Sequence, residues 1–286
     1  MYDSIIIGAG PAGITAGIYI KRAGFNPLVL YSGGSNLQKA HKIDNYYGFE
    51  NGISGEDLYE AGINQAKNLE IDVNNEEVLA IEKNNEGFVV STLNNKYSSK
   101  TIIIATGNKK LRPNIKGVVE FEGAGISYCA ICDGFFYRNK DVVVIGNGNF
   151  ANHEADDLNN FVNSITILTN GEEMLENTEY SVDKRVIKEI KGDTKVRSIV
   201  FEDGEEKPVD GIFIALGEAG GTDFAKKLGV VLEGDNIQVD SETMQTNIEG
   251  LYSCGDVVGG LLQVCKSGYD GAKAGLSVVN YLRNNS

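Results

Sequence analysis

The apolar positions fall into one pattern that occurs twice. Ser4 is followed by three isoleucines, an uninterrupted run that predicts a short strand buried on both faces. A glycine-rich turn follows from Gly8 to Gly13. Ile14 to Arg22 then carries helical spacing that stops at Gly24, and Pro27–Tyr31 predicts a second strand. Further along, Asp141–Ile145 predicts another strand, Gly146 to Ala151 a second glycine turn, His153–Phe161 a helix and Ser164–Leu168 a third strand of that unit. Two more buried strands, Thr101–Gly107 and Gly250–Asp256, end in small polar turns. The Asn-, Lys- and Glu-rich stretch 74–86 predicts solvated loop and strand ends.

Strand, glycine turn, helix and strand in that order describe a dinucleotide-binding unit. In the first copy Gly8 permits the tight turn, Gly10 lets a pyrophosphate approach the backbone, and Gly13 lets helix and strand pack closely. The free N–H groups at the helix start then face the phosphates. The acid expected at the end of the second strand for the ribose is Tyr31 here, which leaves the Ser32-Gly33-Gly34 turn for that role. Asp256, after Gly255, can accept hydrogen bonds from sugar or ribityl hydroxyls. Together with the first glycine turn it points to FAD.

A chain of 286 residues, 42% apolar with 35 glycines and 4 prolines, suits two globular domains. Its net charge of −14 argues against nucleic acid or an anionic membrane as partner. The uncharged run Ser4 to Ile20 is broken by Pro11 and glycines, follows no basic stretch and falls short of the roughly 20 residues a membrane span needs. A soluble, cytoplasmic protein is the expectation. The 4 cysteines are too few for a disulfide framework in a chain of this size.

Two of them, Cys129 and Cys132, form a C-x-x-C inside Ser-Tyr-Cys-Ala-Ile-Cys-Asp-Gly-Phe-Phe, residues 127–136. Zinc needs four ligands, and beyond this pair only Cys254, Cys265, His41 and His153 exist; no metal site is expected. A ring this small gains little from cross-linking entropy, so a structural staple explains it poorly. A redox pair fits better: the dithiol reduces a partner disulfide by exchange, one thiolate attacking and the other resolving. Asp133 stands beside the pair as the natural proton donor or acceptor. Cys254 and Cys265 read as small buried residues near the cofactor and not as catalytic ones.

These segments carry a specific resemblance. GAGPAG (8–13), IDNYYGF (43–49), IIIATG (102–107), YCAICDGFFYRNKDVVVIG (128–146), IALG (214–217) and SCGDVVGGLLQVCKSGYDGAKAG (253–275) resemble the low-molecular-weight thioredoxin reductases in order and spacing. The resemblance implies an α/β protein of two Rossmann-like, three-layer ββα nucleotide-binding domains, the second inserted into the first. The FAD domain would be 1–111 with 236–286, and 112–235 would carry the C-x-x-C. It further implies that Gly8, Gly10, Pro11, Ala12 and Gly13 hold the pyrophosphate and that Asn36 and Asn45 lie near the cofactor. The Val78 backbone would meet the adenine, and Thr106 and Gly107 would flank the flavin nucleotide. Gly255 and Asp256 would reach the ribityl chain, and Gln263 and Val264 the isoalloxazine end. Cys132 would be the flavin-side cysteine, thioredoxin the substrate and a homodimer the assembly.

The chain departs from that family in one place. NADPH-using members follow the second glycine turn and its strand with a basic H-R-R-x-x-x-R run, whose planar arginines clamp the 2′-phosphate. Here the segment is Thr169-Asn-Gly-Glu-Glu-Met-Leu175, without arginine and with two glutamates that repel a phosphate. NADH finds no ribose acid either, since the strand end is Thr169. Glu176 to Lys195 is too short for the helix and strand the family places there. The chain resembles the clostridial subset that takes electrons from ferredoxin, and ferredoxin is the expected donor. Two alternatives stand beside it: an NADPH enzyme clamping through Lys184 or Arg185, and a flavin-linked redox sensor.

Overall fold

A computed structural model describes residues 1–107, 112–217 and 220–285, apart from the side chain of Cys132. The chain divides into two compact units, Met1–Lys109 with Gly220–Ser286, and Lys110–Ala219. The expected boundary at 111 falls outside the described residues. The second boundary stands at Gly220 instead of 236. The reason is steric: a Cβ on Gly221 would lie 2.3 Å from Thr106 Oγ1 and 2.7 Å from Ile104 Cγ2, so this stretch packs on the first unit.

The first unit opens with β1 (Tyr2–Ile7), α1 (Pro11–Arg22), β2 (Pro27–Tyr31), α2 (Gly55–Asn68), β3 (Asp72–Asn75), β4 (Val78–Asn84), β5 (Gly87–Thr92) and β6 (Lys96–Ile104). The stretch expected to be solvated loop and strand ends is largely strand: Val78 and Ile81 are buried, and Glu82 to Asn84 are exposed at its end. The second unit contains β7 (Ile126–Ser127), α3 (Ala130–Asp133), β8 (Asp141–Ile145), α4 (Asn149–Asn159), β9 (Ser164–Leu168), β10 (Ser181–Asp183), β11 (Ile187–Gly192), β12 (Val196–Phe201), β13 (Glu206–Pro208) and β14 (Gly211–Ile214). The chain then returns through α5 (Gly221–Lys227), β15 (Leu232–Glu233), β16 (Asn236–Ile237), β17 (Leu251–Ser253) and α6 (Val264–Asn284).

In the first unit β3-β2-β1-β6 is parallel, and β6 serves two further partners. Its early residues pair antiparallel with β5, and Ile102–Ile104 pair parallel with β17. The C-terminal stretch thus completes the first nucleotide-binding sheet. Ile6, Val29 and Ile103 face α1, α2 and α6 in one core. α1 and α6 approach through small residues: a Cβ on Gly271 would lie 2.2 Å from Ala12 O.

The second unit has three layers. Its parallel sheet, β10-β9-β8-β14-β7, packs Val142, Val144 and Phe213 against Phe150, Ala155 and Leu158 of α4. The alternate residues Val143, Ile145 and Ile212 face Ile190, Ile199 and Phe201 of the antiparallel sheet β11-β12-β13. Fully burying side chains of this size contributes about 1.5–3 kcal/mol each. Helix α4 begins at Asn149, directly after Gly148, earlier than periodicity suggests. The trimmed segment forms strands β10 and β11 and, among the described residues, no helix: β9 reaches its parallel neighbour β10 through coil.

Candidate functional site

In the first unit Gly8 and Gly13 take the turn and packing roles their spacing predicts, and Gly10 leaves the backbone open. Gly8 has φ 116°, and a Cβ there would stand 2.3 Å from Ala105 O. A Cβ on Gly13 would lie 1.9 Å from Gly8 O, so helix and strand pack with no room for a side chain. Gly10 is open, with only Ser35 Oγ at 3.8 Å from such a Cβ. Pro11 opens α1, where no N–H is needed, and no side chain caps the helix. The amides of Ala12 and Gly13 are thereby left to an anion.

The C-terminal Gly-Asp turn rests on this helix start. Gly255 has φ 82° and would set a Cβ 2.9 Å from that of Ala12. Asp256 lies in the 3-10 turn Gly255–Val258 and accepts from Ser267 Oγ at 3.3 Å. Thr106 and Gly107 follow β6, and a Cβ on Gly107 would meet nothing within 4 Å. Gln263 precedes Val264, the first residue of α6, and its Oε1 accepts from Asn45 Nδ2 at 2.8 Å. Asn36 opens a 3-10 turn after β2 and accepts from Lys39 Nζ at 3.0 Å. Val78 is buried at the start of β4, just beyond the point where Glu76 N–H donates to Tyr31 O at 2.8 Å. An open anion seat, a carboxylate after β17 and an amide pair beyond it fit the chemistry of FAD.

In the second unit Cys129 is disulfide-bonded, whereas Cys254 and Cys265 are free thiols. The Cys132 side chain lies outside the described residues. Cys129 is 2% exposed at the start of α3, and its carbonyl accepts from Asp133 N–H at 3.2 Å. Asp133 is held by Ser127, whose Oγ donates to Oδ2 at 2.6 Å. The same Oγ accepts from Cys129 N–H at 3.1 Å, so one hydroxyl ties the cysteine to its acid. Burial, then Asp133, pushes the Tyr137 hydroxyl above the usual phenol range. Ile131, Phe135 and Phe136 stand exposed around this turn.

The second glycine turn differs from the first. A Cβ on Gly146 would lie 2.1 Å from Ala215 O, so the tight strand contact survives. Gly148 is as open as Gly10, the nearest atom to a Cβ there being Gly217 O at 3.8 Å, but the segment after β9 folds back onto the neighbouring Asn147. Leu175 N–H donates to Asn147 O at 2.8 Å, Asn147 Nδ2 donates to Glu173 O at 3.2 Å, and Leu175 Cδ1 lies 4.0 Å from a Cβ on Gly148. Asn152 Nδ2, on the first turns of α4, donates to Asn177 O at 3.0 Å. Lys184 pairs with Glu173. Arg185 grips Asp183, reaches Asp203 and Glu205, and lies 3.8 Å over the Phe201 ring.

The family model of the pyridine nucleotide-disulphide oxidoreductases matches residues 2–272. The thioredoxin reductase of Listeria innocua is 33% identical over 302 residues, covering 99% of this chain and 94% of that protein. The chain belongs to the thioredoxin reductases of this family. Among solved structures, the atypical thioredoxin reductase TRi of Desulfovibrio vulgaris Hildenborough is similar at a TM-score of 0.92 and 35% identity, covering 99% of each chain. A ferredoxin-flavin thioredoxin reductase of Clostridium acetobutylicum is similar at a TM-score of 0.74 and 31% identity, covering 99% and 98%.

Cys254 is fully buried, and burial pushes its thiol far above the usual range, which suits a packing residue. Cys265 is exposed instead of buried, because it falls on the outer side of the first turn of α6. Three residues that reasoning from sequence passes over now stand out. Ser127 lies within the cysteine segment itself. Glu154 occupies the apolar stripe of α4. Lys266, four residues before Asp270, donates to Gly255 O at 2.9 Å and Gly259 O at 2.5 Å. The last two carry a signal that could be read in advance: a charge on the buried face of a helix.

Proposed function

We propose that this chain reduces thioredoxin with electrons taken from reduced ferredoxin, using FAD and the Cys129–Cys132 disulfide. The observation that carries the choice of donor is the 173–175 segment that bonds back to the second glycine turn. Leu175 N–H donates to Asn147 O at 2.8 Å and Asn147 Nδ2 to Glu173 O at 3.2 Å. Glu172 and Glu173 stand where a phosphate clamp would be needed. The similarity to a ferredoxin-flavin thioredoxin reductase supports the same reading.

FAD suits the role because it can accept electrons singly and pass on a pair. A plant-type ferredoxin near about −400 mV, set against thioredoxin near about −270 mV, leaves roughly 6 kcal/mol for the pair. The chain's own residues do the rest. The amides of Ala12 and Gly13 hold the pyrophosphate, Asp256 the ribityl hydroxyls, and Asn45 with Gln263 the far end. Cys129 and Cys132 cycle between disulfide and dithiol. Asp133, oriented by Ser127, takes and returns the proton of the thiol. Exposed Ile131, Phe135 and Phe136 give thioredoxin an apolar rim beside it. The assembly is a homodimer in the cytoplasm.

An NADPH-dependent reading keeps one observation on its side: the Gly146-x-Gly148 skeleton persists and α4 starts without a side-chain cap. Its proposed clamp, Arg185, is already engaged by carboxylates. Anaerobic stopped-flow mixing with NADPH, NADH and reduced ferredoxin separates the two. Rapid bleaching of the flavin by ferredoxin alone is the expected result, and bleaching by stoichiometric NADPH would reject the reading. A redox sensor would show reduction without steady thioredoxin turnover.

A further inference from the structure

Glu154 is 1% exposed, and its Oε2 accepts from Ala130 N–H at 2.6 Å. Ala130 follows Cys129 directly and is the first residue of α3. Glu154 stands on the face of α4 that also carries Phe150, Ala151, Ala155 and Leu158, all buried. Periodicity asks for an apolar side chain there. A carboxylate tolerates such burial only when it is held by donors.

The contact bears on the redox chemistry of the neighbouring cysteines. Reducing the disulfide consumes two electrons and two protons and yields two thiols, of which the thiolate is the reactive form. A thiolate is favoured by free amide donors and disfavoured by negative charge beside it. Here the amide that follows Cys129 is turned to Glu154, whose carboxylate adds negative charge to the turn. Both effects disfavour the thiolate, hence the reduced state, and so make the dithiol the stronger reductant toward a partner disulfide.

We propose that Glu154 is a positioning residue of the redox turn: its buried carboxylate takes the first amide of α3 and holds the Cys129–Cys132 couple at the strongly reducing end of its range. This rests on the thioredoxin reductase reading and is independent of the electron donor. It also gives α4, and the nucleotide-binding fold that fixes it, a purpose that needs no nucleotide.

Other ionisable groups surround Glu154. On α4 itself, His153 Nδ1 lies 3.4 Å from Asp157, and Asp156 accepts from Tyr180 at 2.7 Å. Asp133 closes α3 on Ser127, with Tyr137 in the turn beyond, and Asp141 opens the adjoining β8. All are retained in the variants below, so a difference between variants reads Glu154 alone.

Glu154→Gln keeps an acceptor for Ala130 and removes the charge; Glu154→Asp keeps the charge on a shorter arm. Glu154→Met, matched to the apolar face, also removes the charge and serves where the amide variant is unstable. Reduced holoenzyme is alkylated with iodoacetamide across pH, with the modified cysteines identified by mass spectrometry. It is also equilibrated with glutathione redox buffers at pH 9, where thiolate is well populated. In the Gln or Met variant the alkylation midpoint should fall by about one pH unit. The exchange equilibrium should move about tenfold toward dithiol, about 30 mV for a two-electron couple. The Asp variant should stay near the parent. Coincidence of the uncharged variants with the parent overturns the proposal, as does an Asp variant that moves equally far. Neither measurement uses thioredoxin or an electron donor, so failure of the proposed function would appear separately, as absent thioredoxin turnover.

Discussion

Asn45 Nδ2 donates to Gln263 Oε1 at 2.8 Å, joining residues 218 positions apart. The bond closes the first unit at the end of the cofactor cradle, where the loop before α2 meets the start of α6. A hydrogen bond of this kind contributes about 0.5–1.5 kcal/mol net. Asn45→Ala or Gln263→Ala should therefore weaken FAD binding about three- to tenfold, measured by flavin fluorescence on titrating the apoprotein. Because the two groups act through one bond, the double variant should lose little more than either single one. Additive losses would show that each residue meets the cofactor independently.

Asp133 and Ser127 form the second such pair, and their effects should differ in size. Asp133→Asn removes the proton partner of the thiol and should slow thioredoxin reduction by pre-reduced enzyme about a hundredfold, the lower range for a lost acid–base group. Ser127→Ala leaves the carboxylate but frees its orientation, and a loss of about three- to tenfold is expected for one hydrogen bond. Single-turnover mixing with oxidised thioredoxin checks both. Unchanged rates in Asp133→Asn would leave the acid a turn residue only.

Much of this fold could be read from periodicity, because its central strands are apolar without alternation and its glycines sit at fixed intervals. Ile5–Ile7, Ile102–Ile104 and Val142–Ile145 all prove to be inner strands. The bond from Leu175 back to the second glycine turn could not be read, because nothing in Glu173-Met-Leu175 encodes a return to Asn147. It follows from shortening the loop, so that coil replaces the crossover helix. The boundary at Gly220 depended on a glycine fitting against Ile104, a contact that no local pattern announces. Ser127, Glu154 and Lys266 escaped for a related reason: a polar side chain's role depends on the backbone group it reaches, and that group is fixed only by packing.

Arg185 offers a test of whether the second unit has a phosphate clamp or a structural ion cluster. Its hydrogen bonds hold Asp183 below the usual carboxylate range. A depressed acid contributes stability that is complete above its unfolded pKa, near about 3.9, and is lost as pH falls through the folded value. Asp183→Asn should thus lower stability at neutral pH and flatten the acid limb below about pH 4, where the parent loses the same contribution and the two profiles converge. Arg185→Ala should lower the melting temperature by a few degrees and leave ferredoxin-driven turnover unchanged. A specific loss of turnover with NADPH in Arg185→Ala would mark it as a nucleotide ligand.

Lys266 ties the loop that presents Asp256 at both of its ends. Its ammonium group reaches the carbonyls of Gly255 and Gly259 and pairs with Asp270 at 2.9 Å, with the two side chains 18% and 6% exposed. Truncating one partner of so enclosed a pair leaves the other charge uncompensated, at a cost of about 3–5 kcal/mol. That cost falls on the loop before it falls on the sheet, since both acceptor carbonyls belong to the Gly-Asp turn. Lys266→Met should therefore raise the dissociation constant for FAD at least tenfold and destabilise the apoprotein. Lys266→Met with Asp270→Asn removes the orphaned charge and should recover apoprotein stability without recovering FAD affinity. Calorimetry on the apoprotein and flavin titration measure the two separately. Affinity that recovers in step with stability would mean that the lysine serves the core and not the presentation of Asp256.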